Sequence, residues 1–531
     1  MVDVDEVRDL PISGLAKRLD HDMDEWFIHT TKELPETLRI NPLRADRDWT
    51  REQVERMGGK ALSWYPDGWA YTMPWLRRET PDEFRDLYVK LHETGRTTRQ
   101  ESASMLPVIV LAPQKEEKIL DMCASPGSKS TQLSEMMEDT GLVVANDVSS
   151  GRLNTLVTNR GRVSIANMIL TRHDGRHFPA VPDPGFDAIL VDAPCSGSGT
   201  MRKNKHVWWD WNETSGLSLR RLQLDILRRA CALLKPDGRL VYSTCSFDPI
   251  ENEGIINQIL EENQDLELQK IDLELVLPGL KSRQGLSNWK TENFNWENDS
   301  LKNCIRIAPE DNDSSGFFLA LLHLKSTEKT AKAMAPKFPI MEMKVHEQPR
   351  QDTRLPSPCS SELIDEVCKQ WDVQESEKWS WWQRGKKIAI STPMARQWLW
   401  DSPRTLKRRS RLPGGHWHPI NAIHAGTTAF QSGKSGMRPR SEAVPLLISQ
   451  IHSKTEIEKP LMHRLLMGEE PLIEELEIPE MKGYNILCSE ETDYLPVWVG
   501  QRLSLMVGDS ERYIAALQAG LQPDSSSLDK T

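Results

Sequence analysis

Cysteine is scarce in this chain: eight residues in 531, irregularly spaced, with no C-x-x-C pair. A disulfide scaffold and a zinc ribbon therefore lack their ligands, and no metal site is expected. No apolar run approaches the ~18 residues that a membrane span requires. The opening MVDVDEVRDL is acidic and has no apolar core of the signal-peptide kind. These absences predict a soluble protein of a reducing compartment, cytoplasmic, or nuclear in a eukaryotic source. A monomer with no membrane partner is expected.

Positive charge is also in deficit, with a net charge of −11, which argues at first against a nucleic-acid partner. Its distribution argues the other way. Residues 378–440 hold thirteen Lys or Arg against the single acid Asp401, a local charge of +12, so the rest of the chain carries −23. The same window contains Trp379, Trp381, Trp382, Trp398, Trp400 and Trp417. Basic residues interleaved with aromatics suit backbone attraction plus base stacking. The plainer reading is a solvated basic face over a tryptophan-rich core.

What is abundant is alternation. From about 118 to 325, six apolar runs (KILDM, GLVVAND, NMILTRHDG, FDAILVDAP, RLVYSTC and GFFLALLHL) alternate with segments of helical spacing such as KSTQLSEMMED, SGRLNTLVTNRGR and LSLRRLQLDILRRACALLK. That pattern predicts an α/β fold, a doubly wound and mainly parallel Rossmann-like sheet. TTRQESASMLPVIVLAP, just before, reads as a helix leading into this domain. The expected organisation is an N-terminal extension over 1–112, a catalytic domain over 113–325, a Lys- and Pro-rich linker over 326–360 and a C-terminal domain over 361–531.

ILDMCASPGSKSTQL reads as strand, tight loop and helix. It has neither the G-x-G-x-x-G fingerprint nor the Gly-Lys pair of a P-loop, yet Pro126 and Gly127 allow a sharp turn close to a ligand. Asp147, twenty residues past Gly127, ends the second run, the position of a ribose-hydroxyl ligand in doubly wound folds. Asp174 follows the third run and Asp192 ends the fourth. One strand-end Asp is usually a turn former; three in successive units point to a nucleoside. Without a pyrophosphate fingerprint, the cofactor expected is S-adenosyl-L-methionine. Two of these runs also end in thiols, Cys195 in DAPCSG and Cys245 in YSTCS, whereas cysteine is usually a small core residue.

MCASPGSK, AND, DAPCSG and YSTCS, in that order over roughly 95–325, resemble the RNA cytosine-5 methyltransferases of the Sun/RsmB type. DAPCSGSGTMRKN is most similar to the tRNA-methylating branch, whose members can carry a PUA-like RNA-binding fold at the C-terminus. The resemblance implies that Cys123, Ala124, Ser125, Pro126, Gly127, Ser128 and Lys129 hold the methionine end of the cofactor. It implies Asp147 at the ribose, Asp174 at the adenine edge and Asp192 between cofactor and base. It implies Cys245 as nucleophile and Cys195 as the thiol of product release, with RNA, first of all tRNA, as partner. The N-terminal extension and C-terminal domain are then expected to bind RNA.

Two thiols suit that reaction. Carbon 5 of cytosine becomes nucleophilic only when a thiolate adds to carbon 6, and the adduct must later lose the carbon-5 proton and the thiolate. A free thiol titrates near 8.5, so Cys245 needs a positive neighbour: Lys129, Lys203 or the sulfonium. Asp192 is expected to act on the nitrogen-3 edge, protonated or through the exocyclic amine. Arg202 and Lys203, ahead of Trp208, Trp209 and Trp211, and Lys407, Arg408 and Arg409 are the candidate RNA contacts. The alternatives are the same chemistry on ribosomal or messenger RNA, and a catalytically silent RNA-binding factor.

Overall fold

A computed structural model describes residues 2–326, 355–402, 404–406, 410–412, 420–479, 481–490 and 493–523. The linker expected over 326–360 and the candidate contacts Lys407, Arg408 and Arg409 lie largely or wholly outside the described residues.

The six apolar runs form strands β1 (Lys118–Asp121), β2 (Leu142–Asn146), β3 (Met168–Thr171), β4 (Phe186–Asp192) and β5 (Leu234–Thr244), then, after the short edge strand β6 (Ile305–Ile307), β7 (Phe317–Leu324). The sheet runs β6-β7-β5-β4-β1-β2-β3 and continues into β8 (Ala422–Ala425). β1 to β5 pair in parallel, while β7 lies antiparallel to β5. Strands buried on both faces read as near-continuous apolar runs, as LVVAN does here, with every residue buried. Leu120, Val144, Ile189 and Leu240 face one layer, with helices α3 (Ser215–Cys231) and α4 (Glu253–Glu262). Ile119, Val143, Ala188 and Val241 face the other, with α1 (Ser128–Met136), α2 (Ser150–Val163) and the helix Leu106–Leu111.

The chain builds outward from β1 through β2 to β3, then returns to place β4 on the other side of β1. Ligands bind outside the carboxyl ends of strands at such a switch point. The register puts the chemistry there: Asp121 lies opposite Ala145 and Leu190, and Asp192 opposite Ser243.

Before this sheet, Pro35–Ile40, Lys60–Ala61, Ala70–Leu76 and Thr97–Arg99 form a four-stranded antiparallel sheet. The segment 97–111, expected as one helix, divides. Thr97 and Thr98 pair with Ile40 and Arg39, and a 3-10 turn at Ala103–Met105 leads into the α-helix at Leu106. After residue 355, one sheet over Ser357–Pro439 is followed by another over Thr455–Leu505 and the helix Asp509–Gln518. β8 belongs to this C-terminal region and pairs antiparallel with β3.

The tryptophans of the basic window correct one expectation. Trp381, Trp382 and Trp398 are buried, and Trp382 and Trp398 join the core of the catalytic sheet. The Trp382 indole donates to Ser391 Oγ at 2.7 Å and that of Trp381 to the Ser376 carbonyl at 2.9 Å. These three rings are core, with no face left for a base to stack on.

Candidate active site

Two loops carry the thiols, one leaving β4 and one leaving β5. Cys195 Sγ and Cys245 Sγ stand 3.2 Å apart. Backbone bonds lock the loops: the Gly199 N–H donates to the Cys245 carbonyl at 2.9 Å, and the Phe247 N–H to Ser198 Oγ at 2.7 Å. Beneath them lies Glu251, a fully buried carboxylate. It accepts from the Ser196 N–H (2.8 Å) and hydroxyl (2.5 Å), the Ser246 hydroxyl (2.6 Å) and the Gln223 amide (2.9 Å). Ser196 follows one cysteine and Ser246 the other, so a single side chain ties both loops. Sequence reasoning missed Glu251. The one available signal was an acid in FDPIENEGII, two residues ahead of the helix Glu253–Glu262.

Cys245 opens into a cavity of about 280 Å³ also lined by Cys123, Ala124, Ser125, Pro126, Ser128, Lys129, Asp192 and Lys203. Gly127 caps α1 at φ 109°, and a Cβ there would stand 2.3 Å from Leu156 Cδ1. The loop thus takes its sharp path against α2 only with glycine. Lys129 Nζ donates to Asp192 Oδ2 at 2.7 Å and to Ser104 Oγ at 2.8 Å, and the Ser243 hydroxyl donates to Asp192 Oδ1 at 2.8 Å. Burial opposes the Lys129 charge, but Asp192 beside it prevails and holds its pKa above the ordinary value. Partial desolvation of its ammonium at the cavity rim, then Arg77, holds Lys203 below its ordinary value. Both lysines act electrostatically on Cys245. The Cys245 sulfur, then burial, pushes the Cys195 thiol well up.

Asp147 is buried at the tip of β2. It accepts the Ser125 N–H at 3.2 Å and the Ser149 N–H at 2.8 Å, so it braces the loop and keeps lone pairs for a further donor. Asp174 is taken up by Arg176, whose Nη2 donates to its Oδ2 at 2.6 Å. Neither Asp147 nor Asp174 lines the cavity that Cys245 opens into, nor does Cys195. Arg202 needs correcting as an RNA contact. It is buried and donates to the carbonyls of Lys32, Glu33 and Ser314, fastening the N-terminal helices to the catalytic domain. Trp208 and Trp211 are buried as well, while Trp209 is half exposed. Lys203 is exposed at the cavity rim.

The cavity also holds orphans. Asp121 Oδ1 and Ser125 Oγ are buried with no partner, so the loop offers acceptors to a ligand that brings donors. Such donors are present in a nucleoside bearing an amino acid. A nucleoside switch point without a phosphate-binding glycine loop, with the Cys245 thiol at its wall, defines the class: an S-adenosylmethionine-dependent methyltransferase.

Comparison with known proteins narrows it. Residues 108–323 match the family described as 16S rRNA methyltransferase RsmB/F. The chain is 30% identical over 528 residues to the multisite-specific tRNA:(cytosine-C(5))-methyltransferase of Saccharomyces cerevisiae, covering 84% of this chain and 77% of that enzyme. It is 34% identical to the tRNA (cytosine(34)-C(5))-methyltransferase of Drosophila melanogaster, covering 62% of this chain but only half (50%) of the fly protein. A solved methyltransferase homologue from Pyrococcus horikoshii, 28% identical, covers 59% of this chain and 98% of that one at a TM-score of 0.46. The chain belongs to the RsmB/F (Sun) family of RNA cytosine-5 methyltransferases.

Proposed function

We propose that this protein methylates carbon 5 of cytosine in tRNA, with Cys245 as nucleophile and Cys195 as the thiol that releases the product. The observation that carries the reading is the 3.2 Å contact between the two sulfurs, at the wall of a cavity that also holds Lys129 and Asp192. The relatives named for tRNA methylation support the substrate. In this reading the loop Cys123–Lys129 and Asp147 hold S-adenosylmethionine, which supplies an electrophilic methyl group when bound. Asp174 serves the adenine edge once Arg176 yields.

The two thiols are not equivalent. Cys195, pushed up chiefly by its neighbour's sulfur, keeps its proton and donates it to Cys245. Cys245, with Lys129 and Lys203 nearby, is then the thiolate that adds to carbon 6 of the base. Asp192, already an acceptor for Lys129 and Ser243, takes the exocyclic amine of cytosine. Once the Cys245 sulfur is bonded to carbon, the main influence raising the Cys195 pKa is gone. Cys195 then loses its proton to water and accepts the carbon-5 proton. The electron pair of that C–H bond re-forms the ring double bond and expels Cys245 as thiolate. Lys203 is the contact to the phosphates flanking the flipped base.

The test is a denaturing gel of each variant incubated with a tRNA transcript and S-adenosylmethionine. Cys195→Ala, which keeps its nucleophile, gives a slow-migrating protein–RNA band. Cys245→Ala and the double variant give none. A band from Cys245→Ala alone inverts the assignment, and no band from either removes the support for two thiols. Bisulfite sequencing of treated tRNA and ribosomal RNA identifies the substrate.

A further inference from the structure

A second cavity, about 1210 Å³, lies between the N-terminal sheet, α2 and the C-terminal region. The strand Pro35–Ile40 separates the two cavities: residues 35–37 line the first, and residues 43–46, just past the strand, line the second. The walls of this cleft are well fastened. β8 pairs with β3, and the Thr392 hydroxyl donates to the Gly141 carbonyl at 2.7 Å.

Several side chains of the cleft bury a polar atom without a partner, and Arg160 buries two. Arg160, near the end of α2, is 1% exposed, and its Nε and Nη1 are buried with no acceptor. Burial brings its pKa down to about 10, which leaves it charged at neutral pH. An uncompensated buried guanidinium is costly. Its surroundings add to the charge. Arg384 Nη1 lies 2.7 Å from His424 Nε2, and burial with Arg160, Arg384 and Lys387 drives the His424 pKa to about 2. The imidazole is therefore neutral and supplies no negative charge. Glu442 is the acid that Arg160 feels, but its carboxylate lies 3.7 Å from Arg440. On the opposite wall Asp46 and Glu511 are matched by Arg44 and Arg96. The excess positive charge thus sits on the wall formed by α2 and the strands that carry Lys387 and His424, where Arg160, Arg162 and Lys387 face the acid Glu442.

We propose that this cleft binds a phosphate group, and that a phosphodiester of the RNA substrate supplies it. The proposal rests on the RNA reading above. The cleft is far larger than a lone phosphate requires. Arg160 stands eight residues along α2 from Arg152, which donates to the Ser125 carbonyl of the cofactor loop at 2.6 Å, so the site is about 12 Å from that loop. A strand held at the thiols extends that far within a few nucleotides. Such a contact fixes register without reading sequence.

The test uses full-length wild type, Arg160→Met and Lys387→Met, with a tRNA transcript and inorganic phosphate as probes. tRNA binding is followed by anisotropy across a potassium chloride series. Arg160→Met is expected to weaken binding about tenfold and to reduce the log–log salt slope by about 0.7–0.9. It melts no lower than wild type, because an unmatched buried charge has gone. Lys387→Met shifts affinity in the same direction by less, and it serves if Arg160→Met fails to fold. Phosphate raises the melting temperature of wild type and not of Arg160→Met. Phosphate protection with unchanged tRNA affinity and slope in both variants overturns the RNA assignment in favour of a free anion. No protection and no change in tRNA binding overturns the site itself. A wild-type enzyme that methylates no RNA refutes the functional reading instead, a result the methylation assay reports separately.

Discussion

Asp121 sits at the end of β1 with its carboxyl enclosed, and burial, helped by Asp192 and opposed by the Ser130 hydroxyl and Lys129, raises its pKa to about 7. An unfolded aspartate titrates near 3.9. Between those values the folded state holds the extra proton, so this group's contribution to stability declines as pH rises from about 4 to 7. A cationic ligand in the cavity favours the ionised carboxyl and expels the proton. Affinity for S-adenosylmethionine should therefore rise between about pH 6 and 8, with proton release visible in calorimetry across buffers of different ionisation enthalpy. Asp121→Asn should flatten that dependence; a flat wild-type profile would remove Asp121 from the cofactor site. Asp147, at the tip of β2, is the candidate ribose acceptor. Removing its carboxylate in Asp147→Ala deletes a charged acceptor, and bonds to charged groups contribute roughly 1.5–3 kcal/mol each. Calorimetric titration should show binding weakened at least tenfold, and unchanged affinity would detach Asp147 from the ribose.

Elements meet the chemistry through the two loops that Glu251 joins. Glu251→Leu keeps the volume but removes the buried acceptor shared by the Ser196 N–H and hydroxyl, the Ser246 hydroxyl and the Gln223 amide. An unsatisfied buried group costs about 1–3 kcal/mol, so denaturant unfolding should show a loss of about 3 kcal/mol; an unchanged midpoint would mean that water takes over the carboxylate's place. The strands leading into these loops were legible as apolar runs because both faces of a parallel sheet are buried, and the thiols and acids were legible as strand ends. Glu251 was not, because its partners come from three separate segments and no periodicity links them. The segment 97–111 misled for another reason. Its polar start, Thr97–Arg99, gains more from pairing with Leu38–Ile40 than from extending a helix. The tryptophans show the limit of composition: a buried Trp382 and a stacking platform look identical in sequence.

At the scale of the whole molecule, the C-terminal region grips both other parts. It adds β8 to the catalytic sheet, fills its core with Trp382 and Trp398, and returns through Glu511 to Arg44 and Arg96 of the N-terminal part. Among the described residues no helix is long and apolar enough to cross a membrane. An acidic chain that must hold a polyanion needs its positive charge concentrated, and residues 378–440 concentrate +12. With Trp381, Trp382 and Trp398 committed to the core, these three rings leave attraction to RNA to the window's charge and its other aromatics. Lys407, Arg408 and Arg409 are three consecutive cations within it. A protein that neutralises Z phosphates of a single strand has a log–log salt slope of roughly −0.7Z. Reversing all three to Glu should flatten the slope and raise the KM for tRNA, because bound counterions are no longer released. Turnover at saturating tRNA should change less, since no step at the thiols uses these residues. The measurement is tRNA binding and initial methylation rate across a salt series. If slope and KM both survive the triple reversal, the window is a solvated face and the RNA is held elsewhere.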